Sequence, residues 1–225
     1  GRSLLVPKPF KYGLLVNTRG ERFIAEDAYG LSIGHEIFQQ PGEAAWLILD
    51  AERFKAAWKL VMPWRPMILR YRVRALMPLM FAWKRSATLA GLARKCGIAA
   101  DALQGTFDRY NANVRGSAAD WLGKLAANST PLGPGPYYAI NCSPHSKGFP
   151  PTSLTLGGLL VDETSGQVRG TAQPAIKGLY AAGRAAVGMP SNFNVSGLSI
   201  ADCVFSGRRA GRAAAEAAGR RSEDV

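Results

Sequence analysis

Apolar and polar positions along the chain follow two different periods, and each change of period marks an element. Leu14-Leu15-Val16-Asn17 and Arg22-Phe23-Ile24-Ala25 flank the turn-forming triplet Thr18-Arg19-Gly20 and predict a hairpin. Ala44 to Leu49 predicts a further strand, and Asp50 stands where the N-cap of a following helix belongs. Ser86-Ala87-Thr88-Leu89 opens a helix running to Cys96, with Gly97 as the residue just past its end. Asp101 opens another, carrying Leu103, Phe107, Tyr110 and Val114 on one face. Asn128 to Pro136 reads as a Pro/Gly linker, and Tyr137-Tyr138-Ala139-Ile140 resumes as a strand. Asp162 to Gly170 predicts a second hairpin. Leu179-Tyr180-Ala181-Ala182 predicts a buried strand that stops at Gly183. A long helix follows from Ser199, with Ile200, Val204 and Ala210 near one face. Gly207, Gly211 and the alanines let that helix approach a sheet closely.

The unit from Leu179 to Ala215 is therefore strand, loop and helix. Ser196 and Gly197 put little bulk in front of the helix start, whose unpaired N–H groups and positive dipole end suit an anionic or electron-rich ligand edge.

Composition changes this picture in three places. The 225 residues suffice for one large domain or two small ones. The formal charge is +12, and from Arg53 to Ala100 no acidic residue occurs. There, basic residues alternate with Trp58, Met62, Trp64, Met67, Met80 and Trp83, and Pro63, Pro66 and Pro78 exclude a single long helix. Two readings of this stretch stand side by side: an interfacial surface for peripheral membrane contact, and an apolar core with solvated charges. No nucleic-acid module is visible, so no specific nucleic acid is expected. Cys96, Cys142 and Cys203 are scattered without metal spacing, and with only His35 and His145 available no metal site is expected. Reduced thiols, no signal sequence and no spanning run fit a cytoplasmic protein.

Gly178-Leu179-Tyr180-Ala181-Ala182-Gly183 followed by SGLSIADCVFSGRRAG resembles the C-terminal signature of the FAD-binding fumarate reductase and ketosteroid dehydrogenase superfamily. Thr155-Leu156-Gly157-Gly158 is similar to the T-x-GG strand of that family. Leu14 to Asn17, with Gly20-Glu21-Arg22-Phe23 and Glu26-Asp27, is similar to its cap entry. The resemblance implies an α/β fold: an α+β cap over residues 1–135 and the C-terminal part of a Rossmann-like FAD-binding domain over 136–225. No G-x-G-x-x-G follows a strand, and Gly133 and Gly135 sit among prolines. The chain is therefore expected to be the later part of a flavoprotein, with the N-terminal FAD-domain segment as its missing partner.

The same resemblance implies the site. Gly183, Arg184, Ser196, Gly197, Leu198, Ser199 and Ile200 would bind FAD, with Ser196 and Gly197 closest to the ring and Gly183 beside the ribityl chain. Asn194, Thr155 and Gly157 would face substrate. In the fumarate reductase branch a Glu at the position of Glu26 relays protons; the alternative for Glu26 is a surface carboxylate paired with Arg22. Fumarate reductases also carry a Glu where Arg184 stands, and a substrate His where Ser153-Leu154 stand. Steroid branches place a Tyr where Phe193-Asn194-Val195 run, so proton transfer would fall to Tyr137, Tyr138 or a residue outside the chain. The implied reaction is dehydrogenation or reduction of a C–C bond next to a carbonyl, on a hydrophobic substrate such as a 3-ketosteroid. A fumarate-reductase-like enzyme is the rival within the family, and a non-catalytic basic membrane- or nucleic-acid-associated module the rival outside it.

Overall fold

Asp50 begins a helix because its carboxylate Oδ1 accepts the amide of Arg53 at 2.9 Å. The computed structural model describes residues 11–61, 81–146, 157–170, 174–191 and 197–223. The chain parts into two units, residues 2–152 and 153–225.

In the first unit the elements run β1 (Leu14–Val16), α1 (Gly30–Phe38), β2 (Trp46–Asp50), α2 (Ala51–Val61), β3 (Trp83–Ser86), α3 (Leu89–Cys96), α4 (Ala100–Arg115) and β4 (Tyr137–Asn141). The strands form one antiparallel sheet in the order β1-β2-β4-β3. Side chains alternate between its faces. Leu14, Val16, Trp46, Ile48 and Ala139 meet Leu89, Leu92, Leu103, Phe107 and Tyr110 of α3 and α4. Leu15, Leu47, Leu49 and Ile140 meet Ile33, Ile37, Phe54 and Ala57 of α1 and α2. A sheet covered on both faces needs no polar side, which is why β2 is an unbroken apolar run up to Asp50.

Helix α3 follows its sequence signals closely. Thr88 Oγ1 accepts the Gly91 amide at 3.1 Å, and Gly97 ends the helix at φ +71°. The expected first hairpin forms only in part. Beyond the turn, Val16 and Arg22 make a single bridge, and no strand runs on to Ala25. Asn17 Oδ1 holds the amides of Arg19 and Glu21, and the carboxylate of Glu26 takes the outward amide of Leu15, where a ladder would have continued. The segment expected to be a linker, Asn128 to Pro136, is bolted down instead. Arg53 donates to Thr130 and Pro131, Asp50 accepts from Gly133, and Asn111 exchanges two hydrogen bonds with Leu132. The strand after it, β4, lies inside the first unit's sheet, and the two compact units part after residue 152.

Both margins of this sheet are closed by side chains. On β1 the outward amide of Leu15 meets Glu26, and the carbonyl of Gly13 accepts from Lys124 Nζ at 3.0 Å. On β3 the outward carbonyl of Arg85 accepts from Lys95 Nζ at 2.7 Å.

The second unit holds β5 (Gln167–Arg169), β6 (Ala175–Tyr180) and α5 (Leu198–Glu223). The second hairpin is present: Asp162 Oδ1 gathers the amides of Thr164 and Ser165 into a turn, and Val161 bridges to Val168; β5 then pairs antiparallel with β6. Its buried apolar cluster is small: Val168, Ala181 and Ala186, with Val161 beside them. Two expectations are corrected here. Strand β6 is exposed along Ala175 to Leu179, not buried, with only Ala181 beyond it hidden. Ile200 and Val204 do not share a covered face with Ala210; they are 73% and 58% exposed, while Asp202, Ser206 and Ala210 turn inward.

Candidate functional site

The most strongly buried charges lie in the first unit, around Glu26. Arg22 Nε donates to Glu26 Oε1 and Nη2 to Oε2, each at 2.8 Å; Lys124 Nζ stands 3.0 Å from Oε2, and the Leu15 amide donates to Oε1 at 3.0 Å. Arg22 Nη1 also reaches Asp120 Oδ2 at 2.8 Å, and its guanidinium lies 5.0 Å from the Tyr110 ring and 4.6 Å from Trp121. Burial alone would raise Asp120, but the hydrogen bond and charge of Arg22 overcome it and hold its carboxyl below the usual range. Burial lowers Lys124, against the pull of Glu26. Glu26 is therefore no surface carboxylate. Four donors occupy its two oxygens, an arrangement that clamps residues 13–26 to residues 120–124. The sequence offered the Arg22–Glu26 spacing, but Asp120 and Lys124 are too distant along the chain to be found by local pattern.

Tyr137 and Tyr138 point to opposite sides of the sheet. Tyr138 stacks on Phe54 with ring centroids 4.0 Å apart and tilts against Trp83. Tyr137 meets Phe107 edge-on at 5.5 Å and borders an open cavity of about 450 Å³ that Asp108, Arg115 and Pro134 also line. Burial pushes the Tyr137 phenol up, against the lowering effect of a hydrogen bond at Gly135, so its tyrosinate is disfavoured.

In the second unit the residues of the strand–loop–helix motif come together. Gly183 lies at φ +58° directly after β6, and its amide donates to Ser206 Oγ of α5 at 2.8 Å. A Cβ at Gly183 would stand 3.0 Å from Cys203 Sγ, which explains the glycine. Arg184 is exposed next to it. Gly197 enters α5 at φ +88°, with open space where a Cβ would stand. Among the described residues, the amides of Gly197, Leu198 and Ser199 have no hydrogen-bond acceptor, whereas those of Ile200 and Ala201 turn back onto the Gly197 carbonyl. The start of a 26-residue helix thus presents its first amide N–H groups and a positive dipole end. Gly157 is exposed with nothing near it, and its neighbour Gly158 abuts the Ala185 backbone, where a Cβ would lie 2.7 Å from the carbonyl oxygen. The doublet thereby lets Leu159 bridge to Ala186. Thr155, Asn194 and Ser196 lie outside the described residues, as does most of the basic stretch between Met62 and Met80.

Several basic residues of that stretch that are described serve the protein internally. Arg53 pairs with Asp50, Lys84 donates to the Lys95 carbonyl, and Lys95 to that of Arg85. Among the described residues no helix is long and apolar enough to cross a membrane, and no group of side chains could hold a metal ion. His145 pairs with Glu43 at an exposed loop.

Residues 10–200 match the FAD binding domain family. The chain is 37% identical over 192 residues to a 3-oxo-5-alpha-steroid 4-dehydrogenase of Comamonas testosteroni, which covers 81% of this chain and 34% of that protein. It is 29% identical over 205 residues to a probable fumarate reductase, Ifc3, of Shewanella frigidimarina, covering 90% of this chain and 31% of that one. Among solved structures, the 3-ketosteroid-delta4-(5alpha)-dehydrogenase of Rhodococcus jostii in complex with 4-androstene-3,17-dione superposes with a TM-score of 0.69 at 28% identity, over 93% of this chain and 40% of that one. The chain spans about a third of the length of these curated relatives.

Proposed function

The chain belongs to the FAD binding domain family, and from that premise we propose that it is one part of a flavoprotein that dehydrogenates a 3-ketosteroid at a C–C bond beside the ring carbonyl. The likeness to the Comamonas steroid dehydrogenase carries this reading, and the fit to the Rhodococcus structure supports it.

The residues at the start of α5 fit the cofactor. Gly197, Leu198 and Ser199 would offer their amides to the electron-rich edge of the flavin ring, where the helix dipole favours negative charge. Gly183 would lie along the ribityl chain, held in place by Ser206. FAD, when bound, would supply the acceptor for the hydride removed from the substrate, and the second hydrogen would leave as a proton to a base not assigned among the described residues. The chain's own groups orient the ring and stabilise charge at its edge. Tyr137 keeps its proton at neutral pH, so in this reading it serves a carbonyl oxygen as a donor and does not strip a proton from carbon. Glu26 is assigned to structure.

The outward apolar side chains of the second unit, among them Leu159, Ile176, Leu179, Val204 and Phe205, are assigned to contact with a preceding FAD-domain segment. Three free cysteines, one of them exposed, support a reducing cytoplasmic setting. A fumarate-reductase-like activity is the second reading, favoured by the likeness to the Shewanella protein. Arg184 and Ser153-Leu154, standing where that branch has Glu and His, count against it.

The test is to purify the intact protein, determine bound flavin by absorbance, and mix it anaerobically with a saturated 3-oxo-5α-steroid. Bleaching of the flavin is expected. A colourless protein that takes up no FAD removes the reading, and reoxidation of reduced flavin by fumarate with no response to steroid transfers it to the second one.

A further inference from the structure

Asp202 and Ser206 are the buried polar side chains of α5, each only 3% exposed. They sit one helical turn apart, on the inner face of a helix that shows Ile200 and Val204 to the outside. Ser206 Oγ accepts the Gly183 amide at 2.8 Å and donates to the Asp202 carbonyl at 2.5 Å. The Asp202 carboxylate lies against Gly188, where a Cβ would stand 2.8 Å from both oxygens. Both contacts fall on the loop that leaves β6, five residues apart. A face needed only for packing would be apolar. Burying a hydroxyl and a carboxylate costs desolvation, so such groups persist where they fix a backbone in one place.

We propose that Ser206, together with Asp202, is a positioning residue for the flavin. Ser206 holds the loop at Gly183 by its hydrogen bond, the Asp202 carboxylate packs against Gly188, and together they set the distance of the loop from the amides at Gly197 to Ser199, keeping two contacts on one cofactor at a single spacing. This rests on the flavoprotein reading above. Ser206 touches neither cofactor nor substrate; it acts through Gly183. Without its hydroxyl the Gly183 amide would be buried and unpaired, and the loop would move to find another acceptor.

The experiment compares Ser206→Ala, Ser206→Thr and Gly188→Ala in the intact protein. It measures Kd for FAD by fluorescence titration, the visible spectrum and midpoint potential of the bound flavin, and the unfolding midpoint without FAD. Ser206→Ala is expected to raise Kd about tenfold and to shift both spectrum and potential. Ser206→Thr, which keeps a hydroxyl able to reach the carbonyl four residues back, is expected to restore them. Gly188→Ala, which displaces the Asp202 carboxylate, is expected to shift the spectrum in the same direction as Ser206→Ala. Wild-type Kd, spectrum and potential in Ser206→Ala overturn the proposal. So does a Ser206→Ala protein whose affinity falls only in step with its unfolding midpoint while its flavin spectrum stays that of the wild type, because that is a merely structural role. A wild-type protein that takes up no FAD overturns the reading beneath it, and this proposal with it.

Discussion

Helices α3 and α4 of the first unit turn Leu92, Leu103 and Tyr110 fully out of solvent and leave their charges outside. Helix α5 of the second unit hides Asp202, Ser206 and Ala210 and leaves Ile200, Val204 and Phe205 in the open. The strands repeat the contrast: β2 is covered on both faces, while β6 is exposed nearly throughout. The first unit closes its core with its own residues. The second leaves apolar side chains of α5 and β6 exposed, and has a small alanine- and valine-based core of its own. A helix gains no stability from an apolar stripe that faces water.

The sharpest way to break this comparison is to open the charged cluster that locks the first unit. Glu26→Gln leaves Arg22 and Lys124 buried with one carboxylate between them, and the chain is expected to lose about 3–5 kcal/mol in urea unfolding. Next, Leu92→Ala removes a fully buried side chain and should cost about 3 kcal/mol. Val204→Ser in this chain should stay within about 0.5 kcal/mol of wild type, because the side chain is already wet. The same Val204→Ser in the intact protein should cost about 2 kcal/mol if its face is covered there. Equal costs for Leu92→Ala and Val204→Ser in this chain would erase the distinction between the units.

A smaller effect concerns a cap. Thr88→Ala deprives the Gly91 amide of its acceptor and should lower stability by about 1 kcal/mol, measured by the same unfolding curve. Its visibility in the sequence is instructive. The end of helix α3 could be read to the residue because Gly97 is local chemistry, as is Asp50 before α2; its start is legible only as the run Ser86 to Leu89, of which Ser86 belongs to β3 and Thr88 is the cap. Helix α1 was not foreseen, since Gly30 and Gly34 weaken its propensity and Ile33 and Ile37 only acquire meaning once β2 lies beneath them. The linker reading of Asn128 to Pro136 misled because composition reports Pro and Gly but not the partners Asp50, Arg53 and Asn111 waiting elsewhere in the chain. At the candidate site, Gly183 and Gly197 were legible as glycines where backbone conformation demands them. Ser206, a serine inside a helix, gives no local hint that it holds Gly183.

The mildest probe is pH. Burial, with Glu26 nearby, pushes Tyr110 up to about 12. Its folded value thus exceeds the unfolded value of about 10, so stability present below that pH is lost as pH rises toward 12. Asp120 is shifted the other way, so the stability it lends is present above about pH 4 and lost as pH falls. Tyr110→Phe should flatten the alkaline limb and Asp120→Asn the acid limb of a plot of unfolding midpoint against pH. Both groups belong to the first unit, so variants at Gly188 or Ser206 in the second should leave these limbs in place.

The sealed margins of the four-stranded sheet have a further result for handling and for evolution. With Glu26 and Lys124 seated on β1 and Lys95 on β3, there is no bare row of backbone groups on which another chain could template itself at those positions. A concentrated sample should therefore clump through the wet apolar faces of α5 and β6, not through this sheet. Any lineage that widened the sheet by a strand would first have to surrender the charges that hold its first unit together.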